Sequence, residues 1–214
     1  MRKVLIGTPA HDGRVDVWYA NSLINTVKLS ALKGVEIVPV YMSYDSLVQR
    51  ARNDLVRLAI EEKFDYLIFI DSDEEWNPEW IFKLIAYKED VVGATVVKKS
   101  DQIAFNVKAL ETGLKQQQNG LMEVECVGTG FLKISLNALK KVWDMSPEYF
   151  NEDRKSRMVF DVQIVNGDLV SEDNVFCKKW RSLGGKVFID PAMTCNHIGV
   201  KKYQGNFLNF IKGE

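Results

Sequence analysis

The sequence predicts an α/β protein of one domain, built on a mixed, mainly parallel sheet flanked by helices. Three observations carry this. Through the first 100 residues, apolar runs of strand length alternate with stretches of helical spacing, the pattern of a parallel sheet with crossover helices. The run Tyr66-Leu67-Ile68-Phe69-Ile70 is apolar throughout, as a strand buried on both faces requires. The chain has 214 residues, 46% of them apolar, enough for one large core, and no repeat or Pro/Gly/Ser linker divides it.

The elements follow in order. Val4-Leu5-Ile6 is a short buried-strand pattern that ends at Gly7-Thr8-Pro9. Residues 15–33 have helical spacing, with Val17, Leu23, Val27 and Leu32 among the apolar positions. Val35 to Val40 is a second strand. Residues 45–63 form a helix capped by Asp45 or Ser46, with Leu47, Ala51, Leu55, Leu58 and Ala59 along one face. Tyr66 to Ile70 is the third strand. Asn77 caps a helix that starts at Pro78 and runs to about Tyr87. Val91 to Val97 is a strand, and residues 111–120 form an exposed hairpin loop. Residues 132–142 and 174–183 have helical patterns, and Val187 to Ile189 is a strand. The second half is more mixed than the first.

Composition excludes several classes. The net charge of -1 supplies no global basic field for nucleic acid. Cys126, Cys177 and Cys195 are odd in number and widely spaced, so neither a disulfide framework nor a zinc knuckle is expected, and a reducing cytosol is the simplest setting. The apolar run after Met1-Arg2-Lys3 is too short for a signal peptide. No segment approaches the ~18 apolar residues of a membrane span. A soluble, cytoplasmic protein is expected.

The chemistry concentrates in four places. Asp71-Ser72-Asp73 follows the Tyr66–Ile70 strand directly, at the carboxyl edge of the sheet, where ligands bind in open α/β folds. On an extended chain these two carboxylates share a side. Held together they repel unless a cation sits between them, and hard oxygen ligands favour Mg²⁺ or Mn²⁺. Asp-x-Asp alone reads equally as an acidic turn, and the nucleophile motif of a haloacid dehalogenase-type phosphatase is a lesser rival. The latter usually has Thr where this chain has Glu75. Glu172-Asp173 opens the 174–183 helix, either as dipole caps or as a general base for an incoming hydroxyl. His197 follows the last strand and is either a loop histidine or a metal ligand. His11 sits in the first strand-to-helix loop, facing either a nucleotide or water. Gly128-Thr129-Gly130 lets backbone approach a ligand closely, or makes a tight turn. It is not a phosphate-binding GxGxxG, and no Walker sequence occurs. Trp76 and Trp80 are either core aromatics or a sugar-stacking pair.

The order Asp71-Ser72-Asp73, Gly128-Thr129-Gly130-Phe131, Glu172-Asp173, His197 resembles the GT-A glycosyltransferases. More narrowly it resembles the small single-domain enzymes of large DNA viruses and bacteriophages, through Thr8-Pro9, Arg52-Asn53, Glu172-Asp173 with Phe176-Cys177, and His197-Ile198-Gly199. The resemblance covers nearly the whole chain. It implies a GT-A (Rossmann-like) domain over residues 1–214, with a nucleotide-binding half (1–100) and an acceptor half (101–214). It implies transfer of a sugar from a nucleotide diphosphate sugar, a UDP-sugar first, to an acceptor hydroxyl with Mn²⁺ or Mg²⁺. The acceptor is a glycan or another hydroxyl, a modified DNA base included. In a virus the setting is the host cytoplasm. By the same resemblance, Thr8, Pro9 and His11 line the base pocket and Arg52 approaches the nucleotide or diphosphate. Asp71 touches the ribose or the metal, and Asp73 and His197 bind the metal. Gly128, Thr129 and Gly130 floor the sugar pocket. Asp173 is the base of an inverting reaction, and Glu172 orients sugar or acceptor. Ala10-His11-Asp12 departs from the small or aromatic residues of the familiar opening loop. A nucleotidyltransferase of similar fold and a non-catalytic sugar-binding module are the competing readings.

Overall fold

The computed structural model describes residues 1–151, 153–199 and 201–213. Its strands are β1 (Arg2–Ala10), β2 (Val35–Ser43), β3 (Tyr66–Ile70), β4 (Glu74–Glu75), β5 (Val91–Val96), β6 (Val107–Lys108), β7 (Met122–Val124), β8 (Cys126–Val127), β9 (Phe131–Ser135), β10 (Glu148–Asn151), β11 (Arg154–Arg157), β12 (Gln163–Val165), β13 (Asp168–Val170) and β14 (Val187–His197). The helices are α1 (Val17–Lys33), α2 (Val48–Glu61), α3 (Glu79–Ala86), α4 (Leu136–Met145), α5 (Glu172–Ser182) and α6 (Phe207–Lys212).

The main sheet has eight strands in the order β2-β1-β3-β9-β5-β14-β4, with β7 also on β14. β1 runs parallel to β2 and β3, and β5 runs parallel to β14. β9 lies antiparallel between β3 and β5. The mixed, mainly parallel sheet follows the expectation, and the alternation along β3 explains its apolar run. Leu67 and Phe69 enter the core on one face, with Leu55 and Leu139. Ile68 and Ile70 enter the core on the other, with Tyr19, Trp76 and Ile81.

Five expectations need correction. The first concerns residues 132–142, which divide into β9 and α4. Leu132 and Ile134 alternate with Lys133 as a strand does, and Ser135 then caps α4 by accepting from the Ala138 amide at 3.1 Å. Second, α1 does not bury Val17, Val27 or Leu32, which are exposed. Its inner face is Tyr19, Ser22, Leu23, Thr26 and Ser30, whose small polar groups are satisfied in place. Ser22 accepts from the Trp76 amide at 3.3 Å and Thr26 from the Trp76 indole at 3.1 Å. Third, neither Asp45 nor Ser46 caps α2, which begins at Val48. The Asp45 carboxylate accepts instead from the Leu47 amide and holds Arg50 at 2.7 Å. Fourth, α3 begins at Glu79 with Pro78 at its cap position, one residue later than expected, while Trp76 just before it is buried in the core, one of the two readings its sequence allowed. Fifth, His197 ends β14 rather than lying in a loop after it. All three cysteines are free and buried. Among the described residues no helix is long and apolar enough to cross a membrane.

This topology gathers the chemistry. β1, β3, β5 and β14 all end at one edge of the sheet, and antiparallel β9 starts there. Asp71, Lys98, His197 and the Gly128–Gly130 segment therefore meet at a single edge. The amino end of α5 brings Glu172 and Asp173 to it.

Candidate active site

At that edge a pocket of about 210 Å³ is lined by Arg52, Asp71, Glu74, Asn106, Gly128, Thr129, Gly130, Glu172, Asp173 and His197 among others. Four separate sequence motifs share one wall. Arg52, on the buried face of α2, links two of them. Its Nη2 donates to Asp71 Oδ1 at 2.9 Å, and its Nη1 pairs with Glu172.

The chain is not extended through Asp71-Ser72-Asp73. It turns, with the Glu74 amide donating to the Asp71 carbonyl at 3.2 Å. The two aspartates consequently diverge, so they do not share a side as an extended chain would require. Asp71 goes to Arg52, whereas Asp73 Oδ2 lies 3.3 Å from His197 Nε2 and pairs with Lys99. The convergent ligand atoms belong to Asp73, Glu74 and His197, all within 4.8 Å of one another. Asp71, expected among the metal ligands, stands outside that trio because Arg52 holds it.

The sequence reading missed Glu74. Its signal is long-range: β4 pairs antiparallel with β14, with Glu74 opposite His197, which sets the two side chains on one face. Glu74 is 1% exposed, and its Oε2 has no hydrogen-bond partner. Burial, with the Asp71 and Asp73 charges added, pushes its carboxyl well above the usual range. Burial also acts on Asp73, but its bonds to His197 and Lys99 outweigh that and hold it at about 2.

The trio fits a hard divalent cation. His197 Nδ1 lies 3.0 Å from the Val97 carbonyl. A carbonyl only accepts, so Nδ1 carries a hydrogen and Nε2 is the ring atom turned to Asp73 Oδ2, where it can hold either a shared proton or a metal ion. Beside it lies the orphaned Glu74 Oε2. Such an oxygen-rich set with one imidazole suits Mn²⁺ or Mg²⁺.

Of the acidic pair, Glu172 is held by Arg52 and Asp173 is fixed from the start of its own helix. Asp173 Oδ1 accepts from the Asn174 amide at 2.7 Å and from the Ser171 hydroxyl. Gly130 is pressed against two carboxylates. A Cβ there would lie 3.1 Å from Glu74 Oε1 and 3.4 Å from Asp71 Oδ2. Asn106, also missed, braces the wall by accepting from the Val96 amide at 2.8 Å.

Thr8, Pro9 and His11 do not line this pocket. Thr8 is fully buried, with its hydroxyl 2.6 Å from Tyr19 Oη. Pro9 is half-buried in β1. His11 is exposed just beyond β1, with Nδ1 3.0 Å from the Asp45 carbonyl.

Comparison with known proteins adds the following. The model of glycosyl transferase family 2 matches residues 30–142, just over half the chain. No curated protein matches the sequence significantly. Among solved structures, A197 from STIV is 18% identical over 93% of this chain and 86% of its own, with a TM-score of 0.61, so the two share a fold. S. aureus TarS 1-349, solved with UDP-GlcNAc, is 14% identical over 97% of this chain and 61% of its own, at a TM-score of 0.49. A glycosyltransferase involved in the glycosylation of the major capsid of PBCV-1 is 13% identical over 68% of this chain and 67% of its own, at 0.37.

Proposed function

This chain belongs to glycosyl transferase family 2, and we propose that its pocket transfers a sugar from a nucleotide diphosphate sugar to an acceptor hydroxyl, with Asp173 as the base. The observation that carries this reading is the shared pocket, in which Asp71, Glu172, Asp173 and His197 face one space with Gly128–Gly130 as its floor. The coarse activity, glycosyl transfer, comes with the family. The donor, the metal and the residue roles are the proposal.

Asp73, Glu74 and His197 would hold the divalent cation. When bound, it would neutralise the charge that grows on the departing diphosphate. Asp173 takes the proton of the acceptor hydroxyl as that oxygen attacks the anomeric carbon. The bond from that carbon to the diphosphate oxygen breaks, and its electron pair leaves with the nucleoside diphosphate. Direct attack inverts the anomeric centre. The Ser171 hydroxyl and the Asn174 amide orient Asp173 through Oδ1. Arg52 holds Asp71 and Glu172 at fixed positions on either side of the sugar. The absence of a side chain leaves room for Asn106 at Gly128 and for Glu74 and Asp71 at Gly130, so the groups that line the pocket keep their places. A UDP-sugar is the first donor to try. Residues 101–214 supply the acceptor side through Asp173.

The test is release of free nucleoside diphosphate from a panel of nucleotide-sugars with Mn²⁺. Release from one donor, abolished by EDTA and by Asp73→Asn, is expected. Asp173→Asn should retain donor binding and lose transfer. No release, together with no metal-dependent binding of any donor, would overturn the reading and leave a sugar-binding module.

A further inference from the structure

Lys99 holds one of the oxygens that a metal ion in the Asp73–Glu74–His197 trio would need. Its ammonium pairs with Asp73 Oδ2, the oxygen that also faces His197 Nε2 at 3.3 Å. Its stem lies along Gly199, where Cδ and Cε are each 3.4 Å from the position of a Cβ. The backbone beneath it is tied into the turn that follows β5, with the Lys98 amide donating to Ala104 at 2.8 Å and the Ser100 amide to Lys98 at 2.9 Å. The side chain itself is 34% exposed and long enough to swing. An ammonium and a divalent ion compete for one carboxylate oxygen, because two cations at that spacing repel.

We propose that Lys99 is a resident counter-cation of this site, which neutralises Asp73 in the free protein, is displaced by the entering metal and then meets the donor's diphosphate. The proposal rests on the metal-dependent reading above. The free protein thereby avoids an unpaired acidic cluster. The released ammonium, a strong phosphate binder, finds a new partner only when a diphosphate is present. Metal and donor then favour each other's binding, as linkage requires.

The experiment is titration of Mn²⁺ alone into the purified full chain, with free Mn²⁺ read by electron paramagnetic resonance. Lys99→Met should bind Mn²⁺ on the order of ten-fold more tightly than wild type, within the usual range of such couplings. Lys99→Arg, which keeps the charge, should stay near wild type. In the release assay at saturating Mn²⁺, Lys99→Met should lower kcat. Unchanged or weaker Mn²⁺ affinity in Lys99→Met, while Asp73→Asn abolishes binding, would overturn the proposal and leave the metal site standing. An unchanged kcat at saturating Mn²⁺ would overturn the diphosphate role. If neither wild type nor Lys99→Met binds Mn²⁺, the metal reading itself falls.

Discussion

Replacing Arg52 by Leu removes the guanidinium that bridges Asp71 and Glu172 and leaves two carboxylates facing one pocket. Arg52 and Glu172 are 5% and 14% exposed in their side chains, whereas Asp71 is 35% exposed. Breaking a buried pair by deleting one partner costs about 3–5 kcal/mol. The half shared with Glu172 sits near that scale. The half shared with Asp71 is screened by water and lies nearer the surface value of about 1 kcal/mol or less. Leu keeps part of the packed stem and offsets some of the loss. The expected destabilisation is about 3 kcal/mol, a fall in Tm of about 6–12 °C for a chain of this size. Urea unfolding at neutral pH, followed by tryptophan fluorescence, measures it. The double variant Arg52→Leu with Glu172→Gln should recover about half of the loss, because the stranded charge has gone. A double-mutant cycle then shows coupling well above about 0.5 kcal/mol. A single variant within about 1 kcal/mol of wild type, or strictly additive losses, would refute the bridge as described.

Gly130→Ala should fold normally, since no left-handed backbone is required there, yet lower donor turnover about ten-fold or more by pressing on Glu74 and Asp71. Donor kinetics alongside a melting curve check it, and unchanged kinetics would remove Gly130 from the sugar floor. Gly185→Ala is the opposite case, because its Cβ would meet the Trp180 ring at 2.1 Å, far from the pocket. It should cost about 1–3 kcal/mol and leave kcat per folded molecule intact. Lys133, fully buried in β9, donates to the Tyr87 and Glu89 carbonyls, and burial lowers its pKa to about 8. The unfolded chain therefore binds more protons between pH 8 and about 10.4, so stability rises with pH across that window. The penalty for the charged form is present in full below pH 8. Relative to Lys133→Met, wild type should gain about 1–3 kcal/mol on going from pH 7.5 to pH 10, and a flat difference in chemical denaturation would contradict the shift.

The chain's local chemistry made much of this protein legible in advance. A five-residue apolar run is of strand length and suits a strand covered on both faces, so β3 was readable, as was the acidic segment at its end. Spacing placed α2, α3 and α5 within a few residues, because helix periodicity is written in neighbouring positions. The four motifs could likewise be named one by one. What the tertiary structure decided is how they meet. β9 inserts antiparallel between β3 and β5, which turns the start of an apparent helix into a strand and carries Gly128–Gly130 to the site. The turn after β3 parts Asp71 from Asp73, and the two-residue pairing of β4 with β14 substitutes Glu74 for Asp71 beside His197. Arg52 joins α2 to the start of α5. The inner face of α1 is chosen by hydrogen bonds that Trp76 donates to Ser22 and Thr26 rather than by its bulkiest apolar residues. Each of these depends on partners far apart along the chain, whose closeness is set by sheet order and register. Periodicity reports which face of an element is apolar, but not which element will cover it, and an ion pair leaves no spacing to read.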